Sequence, residues 1–300
     1  MPTPREPIRV KSNILFSLRE ILRAEGFLEA VTPVGRWADL GAGRRVPLGE
    51  NGNLRAMIGP ALRVTLEHHS RVFEIGPCFR PEKPDDLHAG EFTMLDLYAA
   101  GESFDYLLEL ARLLVTPHIP HAPVNISVAD YIQNVFGVDL RHSPLGDLPQ
   151  RMAARVGSGP DEPFKNILGR FIEQELEIRS AGRAVFLTDY PVGGDEPCAR
   201  LTPSTTSVLN RFELIVDGIE VVHGYEDEVD GAVFADRARE VGLYDDEQRL
   251  AWEAIDAGRV PAGSVGLGIG IERLCAASSG IRDIRPFLQS AQFGLRDSHA

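Results

Sequence analysis

The sequence predicts an α+β fold in which helices flank a mainly antiparallel β-sheet. Three observations carry that expectation. Two β-rich runs, RVFEIGPCFR (71–80) and FTMLDLYAA (92–100), are joined by the polar, turn-rich PEKPDDLHAG, a pattern that reads as a hairpin with a long loop. RFELIVDGIEVVHGYED (211–227) reads as two strands around a tight Asp217-Gly218 turn. SVGLGIGI (264–271) reads as a strand running into a helix that begins near Glu272.

The other elements follow in chain order. SNILFSLREILRAEG (12–26) places Ile14, Leu15, Leu18, Ile21 and Leu22 at helical spacing, with Ser12 as a cap and Gly26 as a stop. FLEAVTPV then reads as an extended strand that Pro33 ends or holds at an edge. Residues 104–115 are again helical in pattern. Between about 120 and 180, short helical patterns alternate with Gly and Pro breaks, which we read as a helical insertion in one domain spanning 1–300. AVFLTDYPV returns the chain to strand.

Composition bounds the function classes. With 43% hydrophobic and 25% charged residues, the 300-residue chain can build one large core or two moderate ones without staples. Cys78, Cys198 and Cys275 lie far apart with no C-x-x-C pair, which disfavours a zinc ribbon or a disulfide framework. The first residues alternate prolines and charges, and no run approaches the roughly 18 apolar residues of a membrane span. A cytoplasmic protein that does not engage a membrane is expected. The net charge of −13, from 44 acidic against 31 basic residues, argues against extended nucleic-acid binding and leaves room only for a local basic patch. His68 and His69 read as a solvated helix end. His118 and His121 sit in a Pro-rich loop without acidic or Cys partners at metal-ligand spacing.

Three groups of residues carry chemistry. In 79–98, two strands hold Arg80, Glu82, His88 and Phe92 around one loop; an arginine fork suits a phosphate oxygen and an aromatic face suits a purine. On residues alone, a solvated loop with a core Phe fits as well. In GLGIGIERL (266–274), alternating glycines bare one face of a strand so that a flat ligand can approach the backbone, and the next helix presents Arg273. Glu213 and Glu220 would lie on opposite faces of a single strand, but the Asp217-Gly218 turn can bring them together as a Mg²⁺-holding pair. Two exposed strand residues is the other reading.

These segments resemble class II aminoacyl-tRNA synthetases. Phe79, Arg80, Glu82, His88, Glu91, Phe92 and Thr93 match the motif 2 pattern F-R-x-E then H-x-x-E-F-T. GLGIGIERL is similar to motif 3, and the helix followed by GFLEAVTP is similar, more weakly, to the dimer-forming motif 1. The spacing F-E-x(6)-E-x(3)-G-[FY], met by Glu213, Glu220, Gly224 and Tyr225, together with FLTDYP and IRDIRPF, resembles the lysine branch of the Asp/Asn/Lys subgroup. The resemblance covers roughly residues 12–290.

It implies the class II catalytic fold, ATP and Mg²⁺ as cofactors, and formation of an aminoacyl-adenylate. Arg80 would contact the α-phosphate and the attacking carboxylate, Phe92 would stack on adenine, and Glu82 and His88 would meet the base and outer phosphates. Arg273 would hold the γ-phosphate, and Glu213 and Glu220 the metal. Asp96, Tyr98, Tyr225, Asp227 and Gly266 would form the substrate pocket. Asp96 and Asp227 stand where the lysine enzymes carry glutamates, and Ala61 stands in GPALR where they carry the glutamate of P-E-L. A basic amino acid other than ordinary α-lysine is therefore expected. The OB-fold anticodon domain is expected to be absent, as in the stand-alone ligase that attaches β-lysine to elongation factor P. Transfer to a protein, a carrier protein or a small amine is then favoured over tRNA, in a homodimer. The alternatives are a truncated tRNA-charging enzyme and a catalytically inactive regulatory paralogue; retention of Arg80, Arg273, Glu213 and Glu220 speaks against the latter.

Overall fold

A computed structural model of the chain describes residues 6–37, 44–81, 83–159 and 162–288. Its centre is an eight-stranded sheet. Strands β5 (Arg71–Phe79), β6 (Glu91–Ala100), β8 (Ala184–Pro191), β9 (Val208–Val216), β10 (Ile219–Glu226) and β11 (Ser264–Gly270) run antiparallel in the order β5-β6-β11-β10-β9-β8. Parallel strands close both edges: β1 (Leu28–Glu29) on β5, and β7 (Val124–Ser127) on β8. A small sheet of β2 (Gly35–Arg36), β3 (Val46–Leu48) and β4 (Gly52–Leu54) stands apart from it. The expected α+β architecture, with an antiparallel-dominated sheet between helices, is the one observed.

Alternation along the central strands assigns the two faces. Leu95, Leu97 and Ala99 of β6, Val265, Leu267 and Ile269 of β11, and Phe212 and Leu214 of β9 enter the main apolar core. That core is closed by α1 (Pro7–Ala24), α3 (Phe104–Val115) and α9 (Ile271–Ser279). The intervening residues point to the opposite face, which carries the site. Three helices pack there around a separate cluster: α2 (Gly59–Val64), α7 (Gly231–Glu240) and α8 (Asp246–Asp256). Helices α4 (Val128–Phe136), α5 (Leu148–Val156) and α6 (Phe164–Glu175) bury Ile132, Met152, Phe171 and others against Val185, Leu187 and Ile215.

Several boundaries differ from expectation for clear reasons. Helix α1 begins at Pro7, not after Ser12: a proline in the first turn gives up no needed N–H and presets φ. Gly26, at φ +81°, does end the turn beyond it. Only Leu28 and Glu29 of the FLEAVTPV segment pair, because past the Ala30 N–H bond to Phe73 the chain leaves the sheet ahead of Pro33. Val124–Ser127, read as part of a helical region, is an edge strand. The Asp217-Gly218 turn is as expected, with positive φ at both residues, +49° and +75°. Among the described residues no helix is long and apolar enough to cross a membrane.

Candidate active site

The floor of the site is β11. Gly266 lies between Tyr98 of β6 and Tyr225 of β10, and Gly268 lies between Asp96 and His223. The room left by the missing side chains is filled from these neighbours. A Cβ at Gly266 would stand 2.7 Å from the Tyr98 ring, and one at Gly268 would stand 2.7 Å from the Asp96 carboxylate. The glycines therefore let two rows of functional side chains lean over one strand, as well as baring its backbone. Gly266→Ala is expected to destabilise the fold by about 1–3 kcal/mol through overpacking, measured by denaturant unfolding, because Tyr98 must give up its 3.0 Å hydroxyl contact with Tyr225.

The acidic hairpin owes its geometry to a bulge. Glu220 pairs with Ile215 and His223 pairs with Glu213, with a register shift between Glu220 and Val222. The extra residue, Val221, turns into the core beside Val222, so Glu220 and His223, three apart, both face the site with Glu213. Burial pushes Glu213 up to about 7, and the nearby Glu220 charge adds to this against the attraction of Arg211. Arg211 donates to one Glu213 carboxylate oxygen at 2.6 Å, and the Tyr190 hydroxyl donates to the other at 2.6 Å. Glu220 goes the other way. Its partial burial is outweighed by His223 and by Arg273, whose Nη1 donates to it at 3.2 Å, and it falls to about 2. Two carboxylates from the two arms of one hairpin are hard oxygen donors of the kind Mg²⁺ accepts when phosphates complete its shell, so this pair fits that ion.

Two cavities meet over this floor. The larger, about 360 Å³, is lined by Asp96, Tyr98, Glu196, Tyr225, Asp227 and Gly266 among others. The second, about 240 Å³, is lined by His88, Phe92, Gly270 and Arg273. Arg80, Met94, Glu220 and His223 belong to both, and so form the wall between them. The Arg80 guanidinium lies 5.2 Å over the Phe92 ring. Arg273 Nη2 is 3.1 Å from His88 Nε2, and Asp85 holds the opposite imidazole nitrogen at 2.9 Å. Arg80, His88, Phe92, Arg273, Glu213 and Glu220 are thus brought together. Glu82 lies outside the described residues.

The far end of the larger cavity departs from a bare anionic pocket. Asp96 accepts from the Ile58 backbone N–H at 3.2 Å at the start of α2, and burial raises its pKa although His223 opposes this. Asp227 is fully buried, its Oδ2 taken by the Ser264 hydroxyl and lying 3.3 Å from Arg63 Nε. Burial lifts it to about 6, partly offset by Arg63. Sequence reasoning did not assign functions to Arg63, Glu196, Tyr190 or Arg211. Only the lone arginine in the apolar GPALRV turn carried a signal.

A family model described as tRNA synthetases class II (D, K and N) matches residues 2–290. The lysine–tRNA ligase of Kineococcus radiotolerans is 30% identical over 317 aligned positions, covering 92% of this chain and 62% of that protein. The corresponding ligases of Helicobacter pylori and Oceanobacillus iheyensis are 27% and 28% identical, over 95% and 96% of this chain and 63% and 65% of their own lengths. The chain spans less than two thirds of these relatives.

Proposed function

The chain belongs to the class II tRNA synthetases of the D, K and N group, and from that premise we propose that it joins a basic amino acid to AMP, forming an aminoacyl-adenylate with release of pyrophosphate. The observation that carries this reading is the shared wall. Arg80 borders both cavities, so one guanidinium can touch the amino-acid carboxylate from one side and the α-phosphate from the other.

Adenylation is an in-line attack of that carboxylate on the α-phosphorus, and positioning and charge neutralisation do most of the work. Arg80 neutralises charge developing at the α-phosphate, its fork held flat by Phe92. Phe92 offers the purine its ring. Arg273 and His88, already in contact, receive the outer phosphates. Glu213 and Glu220 would hold Mg²⁺, which when bound neutralises phosphate charge and steadies the leaving pyrophosphate. Asp96, Glu196 and Asp227 give the amino-acid cavity its acidic character, with Tyr98 and Tyr225 as hydrogen-bonding walls.

For the acceptor, the net charge of −13 favours a protein, carrier protein or small amine over tRNA. The lysine–tRNA ligase relatives make tRNA charging the alternative. A homodimer belongs to this reading, with Ile8, Phe16, Leu28 and Val31, all exposed, as apolar surface for a second copy. A cytoplasmic setting suits both substrates.

The test is amino-acid-dependent ATP/pyrophosphate exchange across basic amino acids, followed by transfer from the labelled adenylate to tRNA, protein or amine pools. Exchange with a basic amino acid is the expected result. ATP binding without exchange would leave the regulatory paralogue as the surviving reading.

A further inference from the structure

We propose that Arg63 makes the pocket select a basic amino acid whose side chain also carries an oxygen acceptor, a hydroxyl or ether oxygen, close to its nitrogen. This rests on the adenylation reading and names its substrate more closely.

Arg63 projects from α2 with 3% of its surface exposed and lines the larger cavity together with Asp227, Tyr98 and Tyr225. Its guanidinium lies 4.9 Å from the centroid of Trp252 of α8, which fixes the plane of the fork. Its ion pair with Asp227 is a single approach of Nε at 3.3 Å, not the two parallel bonds an arginine makes when its task is to neutralise a carboxylate. Nε and Nη2 are buried and have no hydrogen-bond partner, and neither has Asp227 Oδ1. Asp227 Oδ2 is already occupied by Ser264. Buried donors and acceptors are nearly always paired, so an unpaired donor and acceptor on two neighbouring residues of the cavity lining, both sealed from water, mark groups that a ligand satisfies once these side chains turn toward it.

A plain ammonium answers only half of this. It can meet Asp227 Oδ1, but it leaves the Arg63 N–H groups unpaired and puts a second cation beside the guanidinium. A side chain with a nitrogen donor and a neighbouring oxygen satisfies both residues, the nitrogen facing Asp227 and the oxygen facing Arg63. Asp96 and Glu196, in the same cavity, keep the surroundings acidic enough for the substrate to remain basic overall. Sites built to hydrogen-bond a substrate oxygen discriminate strongly against analogues that lack it, because the protein groups are then left unsatisfied.

The test uses matched pairs that differ by one oxygen: lysine against δ-hydroxylysine, and arginine against canavanine, in ATP/pyrophosphate exchange and in calorimetric binding. The wild-type protein should favour an oxygen-bearing member by at least about tenfold in kcat/KM, with most of the difference in KM. In Arg63→Met/Asp227→Asn, which removes both charges and strands neither, that preference should collapse to within about threefold. Arg63→Lys, which keeps the cation but not the fork, should recover only part of it. Lysine and arginine used as well as their partners by the wild type, or a preference that survives in the double variant, would overturn the inference while leaving adenylation intact. Absence of exchange with every member overturns this inference, and absence across the wider panel of basic amino acids refutes adenylation as well.

Discussion

Replacing Arg80 with alanine is expected to lower kcat/KM for amino-acid-dependent exchange by about 10²–10³, the loss found when one preorganised charge-stabilising donor is removed from an active site. The expectation follows from position. Among the described residues Arg80 is the one arginine common to both cavities, and it leaves β5 at the mouth of the loop with its guanidinium against Phe92. Its side chain is not among those that build the main apolar core, so the variant should unfold at nearly the same denaturant concentration as the wild type. Arg80→Lys should be intermediate, since a point charge replaces a fork that can touch carboxylate and phosphate together. Exchange in Arg80→Ala within about threefold of wild type, against the loss expected from removing such a donor, would show that the wall between the cavities is not where the reaction occurs.

The sequence made the strands and their order of chemistry legible because short-range patterns encode them. The β-rich runs at 92–100 and 264–271 marked two strands and an Asp-Gly pair marked the turn of the acidic hairpin, whereas the set of core-facing side chains came only with the register. What escaped it is long-range or context-dependent. The bulge at Val221 left no local mark, since either of two adjacent valines could have faced the core, yet it alone aims His223 with Glu220 into the site. The partner of Asp227 is Arg63, far back along the chain, so the pocket's charge could not be counted from the motif that supplies its acids. At the start of α1 two local signals compete, a serine cap at Ser12 and a proline suited to the first helical turn, and the proline sets the start at Pro7.

The largest effect on stability is expected from Glu74→Ala, at about 3–5 kcal/mol, measured by denaturant unfolding. Arg55 and Glu74 are 1% and 3% exposed and meet at 2.6 Å. Arg55 also donates to the Pro77 carbonyl at 2.7 Å and to the Thr32 hydroxyl at 3.1 Å, while Glu74 accepts from the Thr32 backbone N–H at 2.9 Å. Removing Glu74 strands a guanidinium that no water reaches, which costs far more than the net value of the pair. Arg55→Met/Glu74→Leu, which fills similar volume with apolar atoms, should recover most of that loss, apart from about 1 kcal/mol for the orphaned Thr32 N–H. The effect should also reach the chemistry: the Arg55 side chain joins Thr32 to the Pro77 carbonyl, and its backbone carbonyl accepts from the Phe79 N–H at 2.9 Å, so the pair ties the segment ahead of Pro33 to the end of the strand that leads into Arg80. A double variant that regains stability but exchanges poorly would separate the two roles. If Glu74→Ala instead unfolded with the wild type, the pair would have no part in holding β5.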